Sequence, residues 1–176
     1  MNKFLFILLI SAFSIKGFSQ KSFYELKIKS ITGATIDLSV YRNQTVLIVN
    51  TALNSSDAAQ LQELEKLYQQ FKGKGFVIIA VPSNDFSNEP KSENEIGPFY
   101  KNAVSFIIAE KSPVSGGNIS SLYKWLTRKA ENGSLSNDVK RDFQKFLISK
   151  DGKLVGIFSG KLSPSSEILK NAIKNN

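Results

Sequence analysis

Apolar and polar residues alternate in two short stretches early in the chain. Tyr24, Leu26 and Ile28 interleave with Glu25, Lys27 and Lys29, and after a turn at Thr32-Gly33 the apolar residues Ile36, Leu38 and Val40 repeat the pattern. A period of two predicts a β-hairpin with one buried face. The run Thr45-Val46-Leu47-Ile48-Val49-Asn50 is then almost continuously apolar, as a strand covered on both faces should be. From about Ser56 the period lengthens, and Leu61, Leu64, Leu67, Tyr68 and Phe71 recur at helical spacing. Ser55 or Ser56 can cap this helix, Asp57 suits its positive end, and Lys72 and Lys74 suit its negative end.

Phe76 to Val81 reads as a second buried strand, ended by Pro82. A short helix over Glu95 to Lys101 follows, then a strand near Val104 to Ile108 and a loop rich in Ser and Gly. Leu122, Trp125 and Leu126 mark the next helix. Phe143 to Ser149 and Lys153 to Phe158 flank Asp151-Gly152, the strongest short hairpin signal in the chain. The last helix is expected to start at Ser163-Pro164, with Ile168, Leu169, Ala172 and Ile173 facing inward. Buried strands alternating with helices predict an α/β fold of the thioredoxin-like type. Its central mixed β-sheet carries helices on both faces and an N-terminal β-hairpin.

The extreme N-terminus breaks this picture. Lys3, the apolar run Phe4 to Phe13, and the small residues Gly17 and Ser19 have the order of a secretory signal over residues 1–20. Cleavage would expose Gln20 or Lys21 and leave residues 21–176 as one domain, without stable membrane insertion, in a periplasmic or secreted location. The apolar run is shorter than the roughly 20 residues of a membrane-spanning helix. The chain has no Cys and no His, and its single Met is residue 1. The mature chain would therefore hold no sulfur, which excludes thiol, selenol and thioether redox chemistry. It would also lack the commonest general base and the commonest transition-metal ligand. The formal net charge of +8 falls to +6 when Lys3 and Lys16 leave with the signal. The remaining lysines are scattered, with no basic stripe interleaved with aromatics, so nucleic acid is not an expected partner.

Several local motifs, in order along the chain, resemble one family. Leu47-Ile48-Val49-Asn50-Thr51-Ala52 followed by Leu64-Glu65-Lys66-Leu67-Tyr68 is similar to the stretch that carries the peroxidatic residue of glutathione peroxidases. Pro82-Ser83-Asn84-Asp85-Phe86 with Glu89-Pro90 resembles their second signature loop. Leu122-Tyr123-Lys124-Trp125-Leu126 and Lys145-Phe146-Leu147-Ile148, with Asp151-Gly152-Lys153, match two further blocks. The resemblance runs from about Phe23 to Leu169. It implies a thiolate or selenolate ahead of the first long helix, stabilised by unpaired N–H groups and the helix dipole and supported by Gln, Trp and Asn side chains. That nucleophile would attack a hydroperoxide and be recycled by thiols.

Laid over this chain, the family pattern puts Ser55 at the nucleophile, Asp85 at the Gln, and Arg141-Asp142 at the Trp-Asn pair. Ser83 takes the place of an additional Cys that many members carry, and a resolving Cys would fall near Tyr100. A hydroxyl oxygen has no sulfenic-acid-like state, and Ser55 has no His to activate it. The expectation is a non-catalytic family member that binds a protein or small molecule. Family descent alone would instead imply reduction of hydroperoxides in oxidative stress.

With Asn84, these residues would form a small polar pocket. Arg141 could grip an anion there, or the carboxylates a hard cation. The plainer expectation is an Asp85–Arg141 ion pair in place of a Gln–Trp contact. No cofactor and no metal are expected, and two carboxylates alone make a poor calcium site. Trp125 sits at core spacing and is not the family's catalytic Trp. The short connection from Ser112 to Ser120 lacks the insert that resembles the family's tetramer contact, so a monomer is expected.

Overall fold

The computed structural model describes residues 20–176. The expected signal segment lies outside them. The first elements are a strand pair, β1 (Lys27–Lys29) and β2 (Thr35–Asp37), antiparallel and turned at Gly33, whose φ is 84°. The pair is shorter than the alternation predicts. Phe23–Glu25 forms a 3-10 turn inside a capping box between Ser22 and Glu25, and Leu38–Tyr41 forms another, begun by the Asp37 carboxylate on the Ser39 N–H. Side chain–backbone bonds of this kind compete with ladder pairing. Val40, expected on the buried face, is 64% exposed as a result.

Five strands make the central sheet in the order β5-β4-β3-β6-β7. They are β3 (Thr45–Thr51), β4 (Phe76–Pro82), β5 (Ile107–Ile108), β6 (Lys145–Ile148) and β7 (Leu154–Phe158). β3, β4 and β5 run parallel, while β6 is antiparallel to β3 and β7 antiparallel to β6. Every residue of β3 and β4 is buried, as their apolar runs require. Their side chains divide by parity: Val46 and Ile48 enter one core with Tyr123, Trp125 and Phe146, and Leu47 and Val49 enter another with Leu64, Phe71, Tyr100 and Leu169. The mixed sheet is thus covered on both faces.

The helices are α1 (Gln60–Phe71), α2 (Glu93–Ala103), α3 (Ser121–Thr127), the one-turn α4 (Lys129–Asn132) and α5 (Glu167–Lys174). Three depart from expectation. α1 begins at Gln60 rather than near Ser56, because residues 53–59 wind as tight turns, with Ala58 N–H on Ser55 O and Gln60 N–H on Asp57 O. α2 starts earlier, at a Ser92–Glu95 capping box, and runs through Pro98. That proline is exposed, and its missing N–H removes one hydrogen bond from the helix. α5 starts at Glu167, capped by Ser166, and this register leaves Ile168 65% exposed while Leu169 and Ile173 are buried.

β5 is also shorter than predicted. Glu65 takes the Ser105 N–H and hydroxyl, at 2.8 and 2.7 Å, and draws the chain out of the ladder before Ile107. At the other end of the sheet, Gly152 closes the β6–β7 hairpin with φ 81°, and a Cβ there would meet the Tyr24 ring at 2.5 Å.

The parallel strands β3 and β4 end on the same side as antiparallel β6 begins. The connections after β3 and β4 and the segment entering β6 therefore meet at one end of the sheet, where α/β folds place their sites. Phe146, fully buried in β6 and edge-on to Tyr123, joins the strand next to β3 to the α3 layer. Truncation of Phe146 to Ala should lower stability by about 3–5 kcal/mol, read as a fall in the urea midpoint with an unchanged slope.

Candidate functional site

Three segments wall the site: residues 52–59 after β3, Ser83–Pro90 after β4, and residues 138–144 before β6. Asn50 ties the first to the third. Its carbonyl accepts the Phe143 N–H at 2.7 Å, and its side-chain amide donates to the Arg141 carbonyl at 3.0 Å. Phe143 is fully buried at φ 60°, a conformation costly for a non-glycine residue and held here by that anchoring. Gly160, just past β7, completes the fit: a Cβ there would sit 2.1 Å from the Asp142 carbonyl oxygen and 2.9 Å from Arg141 Cγ.

Ser55 lies half-buried in the turns ahead of α1. Its Oγ accepts the Asp57 N–H at 3.2 Å, so it closes a local turn rather than capping α1. Among the described residues no base is hydrogen-bonded to it. Arg141 pairs with Asp57, which the sequence reading treated only as a helix-favouring charge. The expected Asp85–Arg141 ion pair does not form. Asp85 turns the other way, and its Oδ2 takes the N–H groups of Val114 and Ser115 at 2.7 Å each and the Ser115 hydroxyl at 3.1 Å. Three donors on a nearby loop satisfy it better than one distant guanidinium.

Asp142 is buried and accepts from Asn88 Nδ2 at 2.6 Å. Buried Ser83 accepts the Asp85 N–H at 3.3 Å, and exposed Asn84 accepts the Glu89 N–H at 3.0 Å. Both pocket candidates therefore shape their own loop. The structure links Ser55 to Arg141 through Asp57 and seats Asp142 against the loop after β4; it does not bring Asp85 into contact with either. No three acidic side chains among the described residues converge as metal ligands would.

Two site residues escaped the sequence reading. Glu89, quoted only as part of a motif, is fully buried, and its Oε2 accepts from Leu53 N–H at 2.8 Å and the Tyr100 hydroxyl at 3.3 Å. Lys145 is fully buried under the site, with Nζ 2.8 Å from both Gln60 Oε1 and the Phe143 carbonyl. Gln60 in turn donates to the Gly160 carbonyl at 2.6 Å. A lysine opening an apolar strand was the available signal. Burial pushes the Lys145 ammonium down to about 8, a fall that Asp57 and Glu63 only partly offset.

Comparison with known proteins settles the ancestry of this arrangement. The family model described as glutathione peroxidase matches residues 23–127. The chain belongs to the glutathione peroxidase family. It is 36% identical over 146 residues to a glutathione peroxidase of Lactococcus lactis subsp. cremoris, covering 81% of this chain and 92% of that one. It is 38% identical over 146 residues to the glutathione peroxidase homolog BsaA of Halalkalibacterium halodurans, with the same coverage, 81% and 92%. Among solved structures, Trgpx in its apo form superposes with a TM-score of 0.71 at 31% identity, covering 89% of this chain and 95% of its own. A thioredoxin-family thiol:disulfide interchange protein from Chlorobium tepidum TLS, at 12% identity and TM-score 0.62 over 84% of this chain and 92% of its own, shares the thioredoxin-like fold.

Two outcomes follow from the geometry. A methyl group at Gly160 cannot fit without moving the Arg141–Asp142 segment, so Gly160→Ala should cost about 1–3 kcal/mol and shift the backbone resonances of Arg141 and Asp142. Lys145 binds its proton less tightly folded than unfolded, so the unfolded chain holds more protons between pH about 8 and the ordinary lysine value of 10.5. Stability should rise with pH from about 8 toward 10 in denaturant titrations. Lys145→Gln should flatten that rise.

Proposed function

We propose that this protein is a glutathione peroxidase family member without peroxidase activity, which acts after export as a monomeric binding or interaction protein. One observation carries the reading: a hydroxyl, Ser55, stands at the position the family pattern gives to the nucleophile, in a chain with no Cys. Reduction of a hydroperoxide by the family route needs an atom that takes up oxygen as a sulfenic or selenenic acid and then releases it to a thiol. A serine oxygen cannot do this.

The replaced neighbours support the same reading. Arg141 is committed to Asp57, Asp142 to Asn88, and Asp85 to the backbone of Val114 and Ser115. These partnerships leave a polar site whose charged groups are engaged with one another or with the backbone, in place of a poised reaction centre, and such a site suits recognition better than turnover. Relatives named as glutathione peroxidases supply the scaffold; the activity of a scaffold lives in its site.

The test is a coupled assay of the purified chain starting at Gln20 or Lys21, with hydrogen peroxide or an organic hydroperoxide and either glutathione or thioredoxin as reductant. No turnover above buffer is expected. Robust turnover by the wild-type chain would sink the reading. Ser55→Cys should remain far below family-level rates, because restoring the sulfur leaves Asp85, Arg141 and Asp142 in their present partnerships.

A further inference from the structure

We propose that the buried carboxyl group of Glu89 is protonated in the folded chain, and that its ionisation at higher pH loosens the hold of the Ser83–Pro90 loop on the segment after β3. The inference stands independently of the reading of function above. It rests on the enclosure of Glu89, and of a second acid, Asp142, in the segments that wall the site. Glu89 is 0% exposed and Asp142 3% exposed. Each carboxyl has one oxygen with hydrogen-bond donors and one oxygen, Glu89 Oε1 and Asp142 Oδ1, with none.

The surroundings do not neutralise two negative charges. From the segment after β3, Glu89 receives only the Leu53 N–H, and from α2 only the Tyr100 hydroxyl. Lys111, from the segment after β5, spends its ammonium on the backbone carbonyls of Glu89 and Lys91 at 2.5 and 2.7 Å. Arg141, next to Asp142, pairs with Asp57 instead. Enclosing a second uncompensated carboxylate here is unfavourable, because burying an unpaired charge costs far more than burying a neutral acid. Taking up a proton is the less costly solution, since it removes the buried charge.

Desolvation, with a further push from the Asp142 charge, raises Glu89 above its ordinary 4.5, while the Leu53 N–H, the Tyr100 hydroxyl and Lys111 pull the other way. The sign of the linkage follows. A folded-state value above the unfolded one gives stability that is present at low pH and lost as pH rises through the folded value. The loop is fastened to the site through the same atoms, by Glu89 to Leu53 and by Asn88 to Asp142. Loss of the proton strengthens these acceptors but leaves an enclosed charge, which is relieved by opening the loop to water. The chain has no His and no Cys, so no imidazole or thiol titrates in the same window and obscures it.

The experiment combines carboxyl-carbon NMR of the chain with thermal unfolding from pH 5 to 8. One glutamate carboxyl is expected to titrate clearly above the ordinary range, and unfolding temperature is expected to fall as it loses its proton. In Glu89→Gln, which keeps the acceptor for Leu53 and Tyr100, that fall should vanish and the protein at pH 8 should be at least as stable as wild type. In Asp142→Asn the glutamate midpoint should drop by about half a pH unit or more, because the like charge is gone.

Ordinary titration of every carboxyl in the wild-type chain would overturn the proposal, and so would an unchanged pH slope in Glu89→Gln. Stabilisation of wild type, but not of Glu89→Gln, by millimolar magnesium or calcium at pH 8 would overturn it in favour of a bound cation. If Glu89→Gln fails to fold, the wild-type titration and the Asp142→Asn midpoint still decide.

Discussion

The attachment of residues 141–143 to the end of β3 governs everything at the site. Asn50 makes it with two groups at once, its carbonyl holding the Phe143 N–H and its side-chain amide holding the Arg141 carbonyl. The strand itself cannot shift to suit a neighbour, because both of its faces are packed into separate cores. Phe143 accepts a positive φ to bring its ring into one core, and that turn of the backbone sets where Arg141 and Asp142 lie. Gly160 permits the close approach from the other side. The position of the charged pair is thus a consequence of packing and backbone bonding, and its chemistry is added afterwards.

That chemistry is one of partners found locally. Asp57, Asn88 and the loop at Val114–Ser115 each take up one of the polar groups that stand where the family pattern has Trp, Asn and Gln. Each partnership is short in space and links a different pair of connections. The same residues that would have had to stay available for a peroxide are used to fasten the end of the sheet. A family scaffold can keep its fold through such exchanges, since the strands and helices that carry it draw their stability from burial elsewhere.

Lys145 and Glu89 show a second layer beneath the exposed site. Both are fully buried polar groups, both are hydrogen-bonded to the surrounding segments, and both are moved from their ordinary ionisation by loss of water. Lys145 connects β6 to the first turn of α1 through Gln60, which also reaches Gly160. Buried polar networks of this kind specify one arrangement of the connecting segments, at a cost in desolvation that apolar residues would not incur.

The sequence by itself determined the buried strands of the sheet, the family resemblance and the absence of cysteine. The continuous apolar runs of β3 and β4, the Gly33 and Gly152 turns and the stripe of α1 are local patterns, and local patterns survive without knowledge of neighbours. The same is true of the missing cysteine, which is a count. Element ends were less legible: α1, α5 and β5 all start later than their patterns, because Ser55, Ser163 and Glu65 hold the preceding backbone through individual side-chain bonds. Only the tertiary structure decided which charges meet. Asp85 and Arg141 are opposite in sign and adjacent in the family pattern, yet each is claimed by a nearer group, Val114–Ser115 and Asp57. The burial of Glu89 was equally hidden, since the groups that enclose it, Leu53 and Tyr100, come from other parts of the chain.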